Sequence, residues 1–570
     1  MPLNFGLDAS GNGNNWIVNN ISQVAGSTYD SMLDVPSGNG YADGGNGRGN
    51  YCVLNPLNQN STGVTLANGN LDVTRSSTSN GQVWSTMGMT SGKWYAEVTA
   101  GDITELFIGI ANGNMVGANR YLGQDSNTWA YYNNGQKVNS ATYTNYGNSY
   151  ANGDVIGVAF DANAGSLYFY KNGAVQNSGT AAFTGLTSGP YFFACSVESS
   201  TTANSWNFGQ RPFSYAVPSG YSALNTINLS DPTIKKGSSY FDVVTRAGTA
   251  ATANITSLSF QPDFVWFKSR GRAVDHALYD SVRGVEKRLE TNNTDAEVTG
   301  DTTGLTAFNS NGYTIGALDQ INGTTATNSF VDWAWKANGT GVSNTAGTIT
   351  STVSANTTSG FSIVTYTGTG ANATVGHGLG VAPSMIIVKR RNSTGSWDVY
   401  HASVGNTMAL FLNQTASQNT DIGYWNNTSP TSTVFTVGIG TEVNQSTGTY
   451  VAYCFAAISG YSAFGSYTGN GSADGPFVYC GFRPKYVLIK QSSTSGTDWI
   501  VYDSTRNPYN LTNLLLSPNS SAAETTSAGS NTLDLLSNGF KLRSASTGSN
   551  GGTMIYAAFA ENPLKFSNAR

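Results

Sequence analysis

The apolar positions of the chain fall into two regimes. From about residue 238 onward one pattern occurs three times: a proline, five residues dominated by apolar and aromatic side chains, then a lysine. It reads Phe260-Gln-Pro-Asp-Phe-Val-Trp-Phe-Lys268, Val381-Ala-Pro-Ser-Met-Ile-Ile-Val-Lys389 and Phe482-Arg-Pro-Lys-Tyr-Val-Leu-Ile-Lys490. Each run predicts a buried β-strand entered through a bend that proline fixes. The flanks keep the register. Tyr279 and Tyr400 follow their prolines by 17 residues and Tyr502 by 18, while Phe241, Phe361 and Phe464 precede theirs by 21, 22 and 20. Each copy closes on a second apolar strand: Phe330–Trp335, Tyr450–Phe455 and Ile555–Phe559.

Pro262, Pro383 and Pro484 stand 121 and 101 residues apart, far above the roughly 20–50 residues of a solenoid or propeller repeat. Each copy is large enough to own a core, which predicts three related lobes over 238–340, 358–460 and 462–570 rather than turns of one β-helix. Ala346–Ala355 reads as a linker between the first two. Asp280–Glu290, with Val282, Val285 and Leu289 on one face, predicts one short helix.

The second regime, 61–225, consists of short alternating runs split by Asn-Gly and similar turn signals. Thr65–Leu71 predicts a hairpin; Gly92–Val98, Phe107–Ile110, Thr128–Tyr132, Gly153–Asp161, Leu167–Gly173, Pro190–Ala194 and Trp206–Phe213 predict further strands. Strands at this spacing predict an antiparallel sandwich. Ahead of it, residues 1–60 are Gly/Asn-rich with scattered apolar anchors (Trp16, Ile17, Met32, Leu33, Val35), too few to fold alone. They predict an extended arm that docks on a neighbour.

Composition refines this all-β reading. Only 11% of residues are charged, against about 25% in ordinary globular proteins. Aromatics at 12% and a net charge of −5 argue for an ordered chain in a neutral polar coat. With no basic cluster, nucleic acid is not the expected partner. No run approaches the roughly 18 apolar residues of a membrane span, so no membrane insertion is expected, and Met1-Pro-Leu-Asn-Phe lacks the features of a secretory signal. Cys52, Cys195, Cys454 and Cys480 are far apart, which argues against a disulfide framework, and Cys454 and Cys480 sit inside strand-like apolar runs where a free thiol behaves as a small hydrophobe.

Candidate chemistry is sparse. His276, His377 and His401 have no ligand spacing, so no metal, cofactor or catalytic residue is expected. Asp275 with Asp280 and Glu286 with Glu290 are the acid pairs a glycan hydrolase would need, and both read as solvated. Asp295–Asp301 matches the start of a calcium loop, but Thr306 stands where the bidentate glutamate belongs.

Four motifs then carry a resemblance. Gly92-Lys-Trp-Tyr with Glu97, Gly153-Asp-Val-Ile-Gly-Val with Asp161, Tyr170-Lys-Asn-Gly173, and Asn207-Phe-Gly209 with Pro212-Phe213 resemble the SPRY (B30.2) family in its own order. The resemblance implies a bent β-sandwich that binds through loops and has no catalytic apparatus. Motifs do not place a ligand site on such loops. The expected contacts are Arg120 and Tyr121 in the loop 112–127, together with Tyr143, Tyr146 and Tyr150, since tyrosines in a polar loop can stack on sugars or form a protein hot spot.

The block Arg48-Gly-Asn-Tyr-Cys-Val-Leu-Asn-Pro56, the SPRY-like unit and the ending Ala558-Phe-Ala-Glu-Asn-Pro563 together resemble structural proteins of tailed bacteriophages. That implies a tail fibre or virion appendage, assembled in the host cytoplasm and released by lysis. Its expected partners are other virion proteins and a host surface glycan or outer-membrane protein, and its expected assembly is a homo-oligomer, a trimer. An architectural capsid- or tail-decorating protein and a glycan-degrading tailspike are the alternatives.

Overall fold

The computed structural model describes residues 12, 14, 22, 24–25, 49–59, 61, 63–113, 117–324 and 329–563. Most of the arm expected over 1–60 lies outside them. The chain forms two compact units that divide after Asp231.

The first unit is an antiparallel sandwich. One sheet runs, edge to edge, Leu54–Gln59, Gly81–Ser85, Tyr191–Val197, Phe107–Asn112, Thr128–Tyr132, Gln136–Asn139 and Thr142–Asn145. The other is centred on Lys93–Thr99, flanked by Val155–Asp161 and Asn204–Asn207, with Ser222–Ala223 added in parallel. The hairpin expected at 65–71 forms between Val64–Ala67 and Asp72–Arg75. Its turn, Asn68-Gly69-Asn70, holds three consecutive left-handed residues, which Asn and Gly tolerate and branched residues do not. Alternation sends Ile108, Ile110, Tyr131, Phe193 and Val197 into the core with Val98, Ile156, Val158 and Trp206 of the facing sheet.

The second unit repeats one four-stranded sheet three times, in the same order. It is Phe241–Ala247, Ser329–Trp335, Phe264–Ser269, Ala277–Asp280 in the first lobe. The second lobe has Phe361–Thr367, Thr449–Phe455, Met385–Arg390, Trp397–His401, and the third has Ser462–Thr468, Thr553–Ala560, Pro484–Gln491, Ile500–Asp503. The period of two divides the first two proline-entered strands between two cores, while Tyr486, Val487, Leu488 and Ile489 of the third all join the shared one. Phe264 and Trp266, like Met385 and Ile387, face a core shared by all three lobes, whereas Val265 and Phe267, or Ile386 and Val388, face the lobe's own. The equivalent aromatics Trp335, Phe455 and Phe559 meet edge-to-face, with centroids 6.3, 5.9 and 5.7 Å apart. This near-equilateral triangle marks a pseudo-threefold axis. A cavity of ≈ 30 Å³ lies where the lobes meet, walled by aromatic and aliphatic side chains.

The lobes close into a ring because each makes the same contacts to the next. Lys389 Nζ donates to Thr294 O of the first lobe, Lys268 Nζ to Ser521 O of the third, and Lys490 Nζ to Thr415 O of the second, at 2.9, 3.0 and 3.2 Å. Trp397 Nε1 reaches Glu290 O and Trp499 Nε1 reaches Phe411 O along the same two seams; in the remaining seam His276 Nε2 takes that place against Ser517 O. Head-to-tail contacts that close after three steps make a ring. Here the ring lies within one chain.

Two local expectations are corrected. Asp280–Glu290 is a turn followed by the short strand Lys287–Arg288, because the Asp280 carboxylate takes the N–H groups of Val282 and Arg283 and because Gly284 and Glu286 are left-handed. The linker at 346–355 is also structured. Val342–Asn344 and Ser351–Asn356 pair with each other and extend the second lobe's sheet.

Candidate binding face

The strand register that builds the first sheet also builds a ladder of aromatic rings near its edge. Phe107 and Tyr132 are cross-strand partners and stack at 4.2 Å with planes 8° apart. Tyr121, from the preceding loop, stacks on Phe107 at 4.9 Å. Tyr143, on the edge strand, lies 6.1 Å from both Tyr121 and Tyr132 and is 40% exposed. The loop that carries Tyr121 is pinned by Gln82 Nε2 donating to Tyr121 O and by Leu122 N–H donating to Ser196 Oγ.

Polar groups fix the ring orientation. Tyr132 donates its hydroxyl to Glu105 Oε1 at 2.9 Å. Burial, then the neighbouring Glu105, pushes its phenol up to about 12; burial and the bond to Tyr121 push Tyr143 up as well. Tyr132 and Tyr143 therefore stay neutral at physiological pH. An uncharged ladder with phenol, amide and carboxylate groups at its rim can stack on a sugar ring or an apolar side chain while hydrogen-bonding around it, each well-placed ring contributing about 1–2 kcal/mol.

Of the expected contacts, Tyr121 and Tyr143 are brought together here. Arg120 is half-buried and packs over Gly117. Tyr146 and Tyr150 turn inward. Their hydroxyls donate to Thr180 O and Leu106 O, and both rings pack on Tyr131 in the sandwich core. Phe107, Tyr132 and Glu105 join the site without a distinctive motif; the available signal was Tyr131-Tyr132, adjacent tyrosines of which only one can face the core of a strand.

The remaining candidate groups hold structure. Each histidine accepts an N–H at Nδ1 and presents Nε2 to a carbonyl: His276 between the Trp266 indole and Ser517 O, His377 between Leu379 N–H and Thr431 O, His401 between Ser403 N–H and Tyr556 O. That pattern suits the neutral imidazole protonated at Nε2. Glu97 is buried and accepts from Ser214 N–H, Tyr215 N–H and the Tyr95 hydroxyl, tying down the loop that follows Phe213. In the calcium-like loop, Asp301 accepts from Tyr279 and Arg288, and Glu297 from Arg283 and Arg391. Among the described residues no three His, Cys, Asp or Glu side chains are grouped as metal ligands.

With this geometry in place, comparison with known proteins adds family context. The profile of a family described as a domain of unknown function (DUF7483) matches residues 236–563, and that of the SPRY domain matches residues 93–211. The chain is 31% identical over 144 residues to a probable ATP-dependent RNA helicase ddx1 of Dictyostelium discoideum, covering 25% of this chain and 18% of that protein. It is 42% identical over 76 residues to the E3 ubiquitin-protein ligase RKP of Arabidopsis thaliana, covering 13% and 6%. The chain thus spans less than a fifth of the length of either relative. Among solved structures, the SPRY domain of human HERC1 matches with a TM-score of 0.22 and 19% identity, covering 27% of this chain and 94% of that one. Stonustoxin matches with a TM-score of 0.21 and 22% identity, covering 28% and 27%.

Proposed function

This chain belongs to the DUF7483 family and carries a SPRY domain at residues 93–211. From that premise we propose that it is a non-enzymatic structural protein of a bacteriophage virion, a tail fibre or appendage that holds the host cell surface through the aromatic face of its sandwich. The observation that carries the reading is the ladder Tyr121–Phe107–Tyr132–Tyr143, a neutral stacking surface with a half-exposed tyrosine at its edge. The sparse charge of the chain supports it: many acids of the second unit are engaged in internal ion pairs. Its partners in this reading are a host surface glycan or outer-membrane protein and other virion proteins. Several copies on one particle, in a trimer, turn a weak contact into a firm one by avidity.

The test is competition. Purified full-length protein added to host cells blocks adsorption of the particle in this reading. Protein that leaves adsorption unchanged but rebinds stripped heads or tails is an architectural component instead. Protein that clears capsule around a spotted sample is a glycan-degrading enzyme.

A further inference from the structure

The three seams of the second unit follow one plan, and one of them departs from it. Where the second lobe meets the first, a buried relay runs Asp280–Arg283–Glu297–Arg391, with Arg283 Nε on Asp280 at 2.5 Å, Arg283 on Glu297 at 2.8 Å and Arg391 on Glu297 at 2.9 Å. Where the first meets the third, Asp503–Arg506–Glu524–Arg270 repeats it at 2.6, 2.9 and 2.7 Å. The backbone confirms the equivalence: Glu297 N–H donates to Arg391 O, Glu524 N–H to Arg270 O and, in the third seam, Gln418 N–H to Ser492 O. The four positions of that third seam are His401, Val404, Gln418 and Ser492. A neutral set stands where the sister seams are ionic.

We propose that this third seam is an acid-operated opening: protonation of His401 parts the second lobe from the third, while the two relay seams hold the ring, and the apolar axis becomes accessible. His401 is 1% exposed. Its Nδ1 accepts from Ser403 N–H at 3.2 Å and its Nε2–H donates to Tyr556 O of the third lobe at 3.2 Å. A proton on Nδ1 sets donor against donor at Ser403 and leaves a cation in an apolar seam.

Among the described residues no carboxylate is bonded to His401 to offset that charge. On its own strand Asp398 and Tyr400 face the opposite side. On the paired strand, Lys389 sits at the far end, held by Thr294 O and Gly395 O. From the third lobe comes the Tyr556 carbonyl. His276 occupies a seam too, but there the ion pair of Arg270 with Glu524 crosses between the lobes, and Trp333 Nε1 donates to Asp503 across the same boundary. What opens at the third seam is the wall of the cavity, including Phe455 and Phe559.

Hydrogen exchange on the full-length chain reads all three seams through their equivalent amides. Burial holds His401 down at about 4 against an ordinary 6.5, so between about pH 7 and about pH 5 the open fraction rises about twenty-fold. The expected result, after correction for the intrinsic pH dependence of exchange, is a loss of protection of that size at Gln418, with Glu297 and Glu524 unchanged. In His401→Gln, whose amide offers a donor and an acceptor without titrating, the loss is absent. Cys480, buried in the shared core, gives a second readout: a pyridyl disulfide reagent, which remains active in acid, labels it faster at about pH 5 in the wild-type chain. Unchanged protection at Gln418, simultaneous loss at all three amides, or a loss that persists in His401→Gln overturns the proposal. Should that variant not fold, the wild-type pattern of the three amides decides alone.

Discussion

Arg283 offers the sharpest quantitative test of the ring. Its guanidinium is fully buried and meets Asp280 Oδ2 at 2.5 Å, Glu297 Oε2 at 2.8 Å, Leu278 O and Lys287 O at 3.1 Å, and the Tyr453 hydroxyl of the next lobe at 3.3 Å. Arg283→Met keeps most of the stem volume and removes every one of these bonds. Asp280, which also accepts from Tyr453, is left in the interior without its cation. Burial pulls Glu297 up, but Arg391 and Arg283 outweigh it and hold it below the usual carboxylate range; the variant keeps only Arg391. Breaking a buried pair from one side costs about 3–5 kcal/mol, a large share of the roughly 5–15 kcal/mol typical of a folded domain. Denaturant unfolding followed by fluorescence, with the sandwich as an internal reference, measures the loss. Val404→Met, at the equivalent place in the neutral seam, is expected to cost less than about 1 kcal/mol. The fourfold change Asp280→His, Arg283→Val, Glu297→Gln, Arg391→Ser copies the neutral seam into this one and recovers more than half of the deficit. Equal small costs for Arg283→Met and Val404→Met refute the reasoning.

Two further predictions come from buried titratable groups. Burial lowers Lys268, Lys389 and Lys490 to about 8. Above that pH the unfolded chain holds more protons than the folded one, so the second unit gains stability as pH rises from about 8 to about 9, by about 1 kcal/mol per lysine. Stability that is flat or falling across that window, measured by denaturant midpoints, counts against it. Asp398 is fully buried with neither oxygen hydrogen-bonded among the described residues, and burial, then Glu442, pushes its carboxyl well up. The equivalent positions in the other lobes are Ala277 and Ile500, so Asp398→Ala is expected to stabilise the second lobe by about 1–2 kcal/mol; destabilisation means that the carboxyl has a role not captured by its packing.

Much of this architecture was legible in the sequence, for a physical reason. A strand buried on both faces must be apolar at nearly every position, and Phe264–Ser269, Met385–Arg390 and Pro484–Gln491 are close to uniformly buried. The ring was not legible, because its seams join residues from different copies and the matching positions differ in type: His276 stands for Trp397 and Trp499, His401 for Asp280 and Asp503. The helix expected over 280–290 failed because apolar spacing says nothing about left-handed residues at 284 and 286. At the binding face, Tyr121 and Tyr143 could be named from the chain, but nothing in the sequence separates them from Tyr146 and Tyr150. Those two are buried because backbone carbonyls are available to their hydroxyls, which only the folded chain reveals.

In the proposed function the ladder holds a cell surface. The direct measurement is binding of labelled full-length protein to cells of the host, wild type against Tyr121→Ala/Tyr143→Ala. Loss of two stacking rings is worth about 2–3 kcal/mol together, so affinity is expected to fall about 30–150-fold with the unfolding midpoint of the sandwich unchanged. Equal binding by the two proteins contradicts the claim.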